Sequence, residues 1–525
     1  MRKLPSLQIT SLSLDLRSLA LFRVGLALYC LYGAGAQLGL LGTLYSDAGV
    51  LPRTLLMALP EAVSGRLQPL ALSGSVLLAQ LTWLLGVGAA LALLLGYRAR
   101  LAGGLLFLCS LALINRNPYA ALPLDGLLVC LLFWVPWLPV GARWSLDAAL
   151  STTPPPEDPR HLSGAGAGFI VQILCALLAG GWLRAQDPAW ADGSAPLQAG
   201  HYLLGLGPLL LVLPGLAPLA RRWLLPLLLA LVLGYGLLRD GGLAWLTACA
   251  LLALADARCW DWLGRHHALG EGLQIHFDGD CRFCRAACRV LAHFLILPQA
   301  RCLPAQDSPR AQRLVEANGS WVVIDRDEQA YLKWSAFVML LRRSPLLAWL
   351  APLAARLGRP GDALYDAVVR QRARIGQVLR GVLAEREVRF VPGRWPQRLA
   401  LLVALAVLTS NLGVVQPADP LLRLLRLDQD WQVYAPPRGP APGEFQAWLS
   451  RAGGPEAPLA LPRDPRWTRY HAFLGRERPA ALLARYAEAL CQEAGSDTSV
   501  RLGYLVPSST GSGLEQQVLG RYPCP

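Results

Sequence analysis

Lysine is nearly absent from this chain: Lys3 and Lys333 are the only two in 525 residues. No apolar run therefore holds a lysine to act as a buried base, and the positive charge is arginine, which keeps its proton at any accessible pH. Charged residues of all kinds are scarce as well. They make up 16% of the chain against 54% apolar residues, which excludes the composition of an ordinary soluble domain. The net charge of +14 is not gathered into a basic stripe with interleaved aromatics, so no nucleic-acid partner is expected. Among the twelve cysteines there is a single CxxC, Cys281–Cys284, and no second one to complete a metal site. No metal is expected; the competing reading would need Cys281, Cys284 and Cys288 with His276 or His293.

What the chain does have is long apolar runs. They fall at about 18–40, 70–96, 101–115, 122–141, 166–184, 198–218, 222–238 and 242–257, followed after a polar interval by 398–415. Most reach the length of a bilayer-spanning helix, so the lipid bilayer is the first expected partner. The first run lacks a small-residue cleavage site and reads as a span rather than a leader. Arg2, Lys3, Arg17, Arg98, Arg100, Arg143, Arg160, Arg221, Arg222, Arg258 and Arg265 fall on one side of eight spans, and the opposite loops carry fewer. This bias sets the N-terminus and the segment after span eight in the cytoplasm, and the C-terminus outside it. The expected location is a bacterial inner membrane.

Polar side chains inside such runs are costly and hence informative. Arg23, Gln80, Asn115, Arg116, Asn117, Asp125 and Gln172 are the main ones. Interhelical hydrogen bonding is the bland reading of each. Arg23, Asn115, Arg116 and Asp125 together suggest a polar membrane pocket, with Arg116 and Asp125 as a candidate pair.

LRSLALFRVGLAL, LYSDAGVLPR and SLALINRNPY…LDGLLVCLLFWVP…RWSLD resemble the HTTM domain, the membrane module related to vitamin K-dependent gamma-glutamyl carboxylase. The likeness covers about residues 10–265 and is best over the first four spans. It implies a helical bundle that binds or modifies a ligand. The carboxylase base is a lysine, and the nearest position here holds Arg116, so carboxylase activity is not expected.

The densest chemistry lies in HFDGDCRFCRAAC, residues 276–288. LQIHF alternates as a short strand, Asp278-Gly279 signals a turn, and the apolar residues beyond Cys281 recur at helical spacing. Cys281 is thereby expected at a helix N-terminus, where unpaired N–H groups and the helix dipole favour a thiolate, with Arg282 and Arg285 adding positive charge. Cys284 lies one turn further in, placed to resolve a mixed disulfide. Asp278 or Asp280 is placed to relay its proton, and Cys288 reads as packing. A CxxC at a strand–helix junction in a cytoplasmic setting reads as redox-active, with no cofactor beyond the Cys281–Cys284 disulfide itself.

ARCLPA, a helix near 308–318, SWVVID and YLKWSAFVMLLRRS continue the pattern as β, α, β, β and α, the order of a thioredoxin-like domain. HFDGDCRFC is similar to the D-G-x-C-x-x-C signature of the DCC family of thiol–disulfide oxidoreductases. YLKWSAFVMLL and LYDAVVRQR resemble two further segments of that family, with Lys333-Trp334 where it usually shows glycine. The resemblance covers about 272–376 and implies site residues Asp278, Cys281 and Cys284, supported by Gly279, Asp280 and Arg282. LRLDQDWQVYAPPR (427–438) resembles the stretch that follows the last span in proteins joining these two modules.

The expected fold is thus mainly α. It comprises a polytopic helical membrane bundle (10–265), an inserted α/β thioredoxin-like domain (272–376), a last span (398–415) and a C-terminal extracytoplasmic α+β segment (418–525). The expected activity is exchange of dithiol and disulfide with an unidentified protein or small-molecule substrate. The alternative makes the membrane bundle the working part and the thiol domain an accessory to it. Cys491 and Cys524 are left open between a disulfide and two free thiols.

Overall fold

Leu and Ala are among the strongest helix formers, so the apolar runs they dominate become helices. The computed structural model describes residues 12–59, 65–185, 203, 206–213, 216–238, 241–265, 271–297, 299–411, 419–428, 443–451, 455–494, 498–507 and 514–524. The protein is mostly helical. Leu16–Gln37, Val76–Leu95, Ala99–Arg116, Pro123–Trp134, Gly164–Ala185, Ala217–Leu238 and Gly241–Leu252 succeed one another, and Arg394–Asn411 joins them from beyond the thiol region. Each overlaps an expected span; residues 198–202, 204–205 and 214–215 of the span expected at 198–218, and most of the stretch 427–438, lie outside the described residues.

Among the described residues, three stretches are long and apolar enough to cross a membrane: Leu16–Tyr45, Val76–Leu95 and Ala99–Arg116. On Val76–Leu95 the inward residues are Ala79, Ala89, Ala90 and Leu93, while Leu77, Leu81, Leu84, Leu85, Leu91 and Leu95 are exposed. Small residues inside and leucines outside is the pattern of helices packed in an apolar solvent. The same device joins the last long helix to the block. A Cβ on Gly168 would come within 2.7 Å of the Ala404 Cβ, and one on Gly164 within 2.8 Å of the Gln397 carbonyl oxygen. Glycines four apart thus let Gly164–Ala185 and Arg394–Asn411 touch backbone to backbone.

The thiol region is built on a four-stranded sheet. Its order is Arg301–Pro304, Gln274–Phe277, Val322–Ile324, Ala330–Leu332; the first pair is parallel and the others antiparallel. Alternation sends Ile275 and Phe277 into a core shared with the helix Arg282–Phe294, termed here the cysteine helix. The opposite face of that helix meets the helical block: Ala286, Val290 and Phe294 pack with Leu146, Ala149 and Leu150 of the short helix Leu146–Leu150. Beside this contact the Asp147 carboxylate accepts Arg386 Nη2 at 2.5 Å and the backbone N–H groups of Arg98 and Ala99 at 2.8 Å. One side chain thus caps the start of Ala99–Arg116 and ties down the chain leaving the thiol region.

The other end of Ala99–Arg116 meets the C-terminal region. There the antiparallel strands Glu444–Arg451, Ala457–Pro458, Thr498–Pro507 and Leu514–Pro523 combine with the helices Pro465–Glu477 and Ala480–Ala494. Cys491 and Cys524 are joined in a disulfide. Arg466 grips Asp125 with two bonds of 2.8 and 3.0 Å, and Arg485 donates to the carbonyls of Asp47, Ala48 and Gly49.

Lys333, one of the pair Lys333-Trp334 noted above where the resembled pattern has glycine, has φ +47°, a left-handed conformation disfavoured by any Cβ. Its backbone N–H donates to Ser320 Oγ, and its ammonium lies 3.0 Å from Asp366. Replacing Lys333 with Gly relieves about 1–2 kcal/mol of backbone strain and forfeits a partly exposed ion pair worth about 0–1 kcal/mol. Lys333→Gly is therefore expected to unfold no lower than the parent in a thermal melt of the full-length protein, whereas Lys333→Ala unfolds lower. Arg466→Ala leaves the Asp125 charge buried and unpaired, at a cost of about 3–5 kcal/mol. In the same melt Arg466→Leu combined with Asp125→Leu should regain most of that loss; a double variant as unstable as Arg466→Ala would contradict it.

Candidate functional site

The strand Gln274–Phe277 ends where side chain and backbone bonds bend the chain. Cys281 N–H donates to the Asp278 carbonyl at 3.1 Å, and Asp280 N–H to Asp278 Oδ1 at 3.2 Å. Gly279 N–H donates to Gln306 Oε1 at 3.1 Å, and the Gly279 carbonyl accepts Arg285 Nη2 at 3.2 Å. A Cβ at Gly279 would stand 2.7 Å from that same Gln306 oxygen and 3.2 Å from the Pro304 Cβ, so a larger residue here displaces the Gln306 side chain that bonds the turn.

Cys281 is the N-cap of the cysteine helix, with extended φ −92° and ψ 101°. Its sulfur accepts the Cys284 backbone N–H at 3.2 Å, the role a serine or aspartate oxygen usually fills. The sulfur thus occupies the positive end of the helix dipole, beside N–H groups that have no partner within the helix. Cys281 and Cys284 are both half-buried free thiols, and Cys288 is buried. Burial, the hydrogen bond and charge of Cys281, and the Asp278 carboxylate push the Cys284 thiol up to about 12, with Arg372 opposing. Burial raises the Cys288 thiol well above its usual range, followed by the neighbouring thiols of Cys302, Cys284 and Cys281.

Cys284 opens onto a cleft of about 570 Å³. Phe283, Trp321, Trp334, Phe337 and Tyr365 supply much of its apolar wall, and Arg372 adds a cation. Tyr365 is held in place by accepting the Trp321 backbone N–H at 3.1 Å, with the two rings stacked. An open cleft lined by the Cys284 and Cys288 thiols, beside the Cys281 thiol at a helix N-terminus, is an arrangement for attack on a disulfide and its resolution within one turn of helix.

Of the expected residues, Asp278, Gly279, Cys281 and Cys284 come together in this turn. Asp280 lines the cleft from an exposed position, and Arg282 faces solvent; Arg285, not Arg282, is bonded into the turn. Sequence reasoning gave no role to Gln306, Trp321, Tyr365 or Arg372. Only Tyr365 and Arg372 carried a signal, as part of LYDAVVRQR. Among the described residues no three His, Cys, Asp or Glu side chains are grouped to hold a metal ion.

The expected membrane pocket is not one site. Arg23 is fully buried at the thiol-domain end, where its guanidinium donates to the carbonyls of Val140, Arg143 and Trp144. Arg116 reaches Asp47 at 3.0 Å and the Leu51 carbonyl at 2.8 Å, while Asn115 bonds the Leu67 carbonyl and Arg426. Asp125 pairs with Arg466 rather than with Arg116, because the Arg466 fork reaches both carboxylate oxygens from the C-terminal region. The cavity lined by Asp125 and Arg466 is about 70 Å³, far below a ligand-sized pocket.

Residues 275–378 match the family model of DCC1-like thiol-disulfide oxidoreductase. No curated protein and no solved structure matches the chain. The cysteine turn and all of its cleft lie inside the matched segment, which supports a thiol–disulfide oxidoreductase function for this region.

Proposed function

We propose that the protein is a membrane-embedded thiol–disulfide oxidoreductase in which Cys281 attacks and Cys284 resolves. The observation that carries this reading is the pairing of a helix-capping Cys281 sulfur with a Cys284 thiol held protonated at the cleft. In the reducing direction the Cys281 thiolate attacks a substrate disulfide, forming a mixed disulfide and releasing one substrate thiol. Cys284 then gives its proton to Asp278 and attacks the Cys281 sulfur. The Cys281–Cys284 disulfide forms, the second substrate thiol leaves, and a dithiol donor restores the pair.

The sheet order, with a parallel first pair and two antiparallel additions, supports a thioredoxin-like domain. Three apolar helices among the described residues and a leucine exterior support the bilayer, and an HTTM-type bundle of about eight spans is the arrangement proposed for residues 10–265. The thiol region packs beside the Asp147 cap of Ala99–Arg116, and Ala112 and Leu113 near the other end of that helix share a core with the disulfide-bonded C-terminal region. Free thiols at one end and a disulfide at the other support a cytoplasmic redox domain and an extracytoplasmic C-terminus in a bacterial inner membrane. The alternative, with the bundle as the working part, is less favoured: Arg23, Asn115, Arg116 and Asp125 are engaged in holding segments together.

Replacing Cys284 with Ser removes the resolving thiol. The full-length variant is expected to accumulate a covalent adduct on Cys281, seen as a reducible mobility shift and mapped by mass spectrometry, whereas Cys281→Ser combined with Cys284→Ser accumulates none. Absence of any adduct from Cys284→Ser in cells would sink the proposal. Asp278 is tested by single-turnover reaction with an aromatic disulfide that releases one coloured thiol on attack and a second on resolution. Asp278→Asn removes a negative charge that raises the Cys284 thiol, which alone would speed resolution. As proton acceptor, Asp278 predicts the reverse: the second release slows about tenfold or more at neutral pH. In the variant it then climbs about tenfold per pH unit toward alkaline pH, following the thiolate fraction of Cys284. A faster second release at neutral pH would assign Asp278 an electrostatic role only.

A further inference from the structure

Two thiols of the redox region are unused by the chemistry above: Cys288 and Cys302. Cys288 follows Cys284 by four residues on the cysteine helix, so both project from one face a turn apart. Cys302 lies on Arg301–Pro304, and its Cα pairs with that of Ile275 in the parallel ladder. Paired residues on neighbouring strands point to the same face of a sheet. Ile275 is fully buried in the core that holds Cys288, and Cys302 packs against that core, turned toward the cysteine helix. The thiols of Cys302 and Cys284 are both close enough to Cys288 to raise its thiol. The Cys302 thiol is itself pushed up to about 11 by burial, with Arg289 opposing.

The thiols also open to different places. Cys284 and Cys288 line the 570 Å³ cleft already described. Cys302 lines a second cleft of about 650 Å³ between the thiol region and the helical block, walled by Arg143, Trp144, Trp260 and His293. The cysteine helix separates the two, contributing Cys284 and Cys288 to one and Arg289, Ala292 and His293 to the other.

We infer that Cys288 and Cys302 form a second, internal dithiol–disulfide couple that exchanges with Cys281–Cys284 and carries reducing equivalents across the domain between the two clefts. This rests on the oxidoreductase reading above. The Cys288 thiolate attacks the Cys284 sulfur of the Cys281–Cys284 disulfide; that bond breaks, and Cys281 leaves as a thiolate and takes up the proton Cys288 lost. The Cys302 thiolate then attacks the Cys288 sulfur. The Cys284–Cys288 bond breaks, Cys288–Cys302 forms, and Cys284 leaves and takes up the proton Cys302 lost. Two thiols are oxidised and two reduced, one disulfide replaces another, and no outside oxidant enters the exchange.

The test uses the full-length protein in detergent, reduced and then treated with diamide. It is quenched in acid, alkylated and digested with trypsin, which cuts after Arg282, Arg285, Arg289 and Arg301 and so gives each of the four cysteines its own peptide. The parent is expected to lose four thiols of this region and yield both Cys281–Cys284 and Cys288–Cys302 linked peptides. Cys302→Ser is expected to lose two and keep Cys281–Cys284. In Cys281→Ala, where the first disulfide cannot form, Cys288–Cys302 is expected to appear at least about tenfold more slowly. A parent that forms Cys281–Cys284 but never Cys288–Cys302 overturns the inference and leaves the oxidoreductase reading standing. Equal rates of Cys288–Cys302 formation in the parent and Cys281→Ala overturn the exchange. A parent that forms no Cys281–Cys284 disulfide overturns the reading on which the inference rests.

Discussion

The hydrogen bond from Cys284 N–H to Cys281 Sγ is the contact on which the chemistry depends. It makes one sulfur both the cap of a helix and the group closest to that helix's unpaired N–H donors. It also sets the second sulfur a turn deeper, where burial and two negative neighbours hold it as a thiol. The remainder of the domain serves to hold this turn. Gln306 grips Gly279 from one side and Arg285 grips it from the other, so the cap cannot move without breaking bonds contributed by separate elements.

The same helix links the site to the rest of the molecule. Its inner face shares a core with the sheet, and its outer face packs on Leu146–Leu150, beside the carboxylate of Asp147. Asp147 in turn caps Ala99–Arg116, whose far end lies against the Arg466–Asp125 pair. A single helix thus runs between a region of free thiols and a region closed by a disulfide. Removing a desolvated carboxylate at either end leaves buried donors unmatched; Arg466 grips Asp125 through two bonds, and Arg386 reaches Asp147 through one.

Much of the thiol site was legible because it is local. Strand alternation in LQIHF, the Asp-Gly turn and the helical recurrence beyond Cys281 are all read within about 20 residues, and the strand, turn and helix stand where those signals put them. The cleft was not legible. Its walls come from residues as distant as Phe283 and Arg372, and nothing in local periodicity says which face of a later helix will return to an earlier one. The polar residues of the apolar runs show the same limit more sharply. Their cost in an apolar setting marked them, yet Asp125 finds its partner 341 residues away on Arg466 rather than nearby on Arg116. Lys333 is an intermediate case: its departure from the resembled pattern was visible, and its left-handed backbone supplies the physical meaning.

The central claim is the division of labour between Cys281 and Cys284. Competitive alkylation of the reduced full-length protein with a small haloacetamide at neutral pH, resolved by peptide mass spectrometry, measures it directly. Cys281 should be modified first, with Cys284 following only as pH rises toward the range of its thiol near 12. Modification of Cys284 ahead of Cys281 at neutral pH would contradict the account.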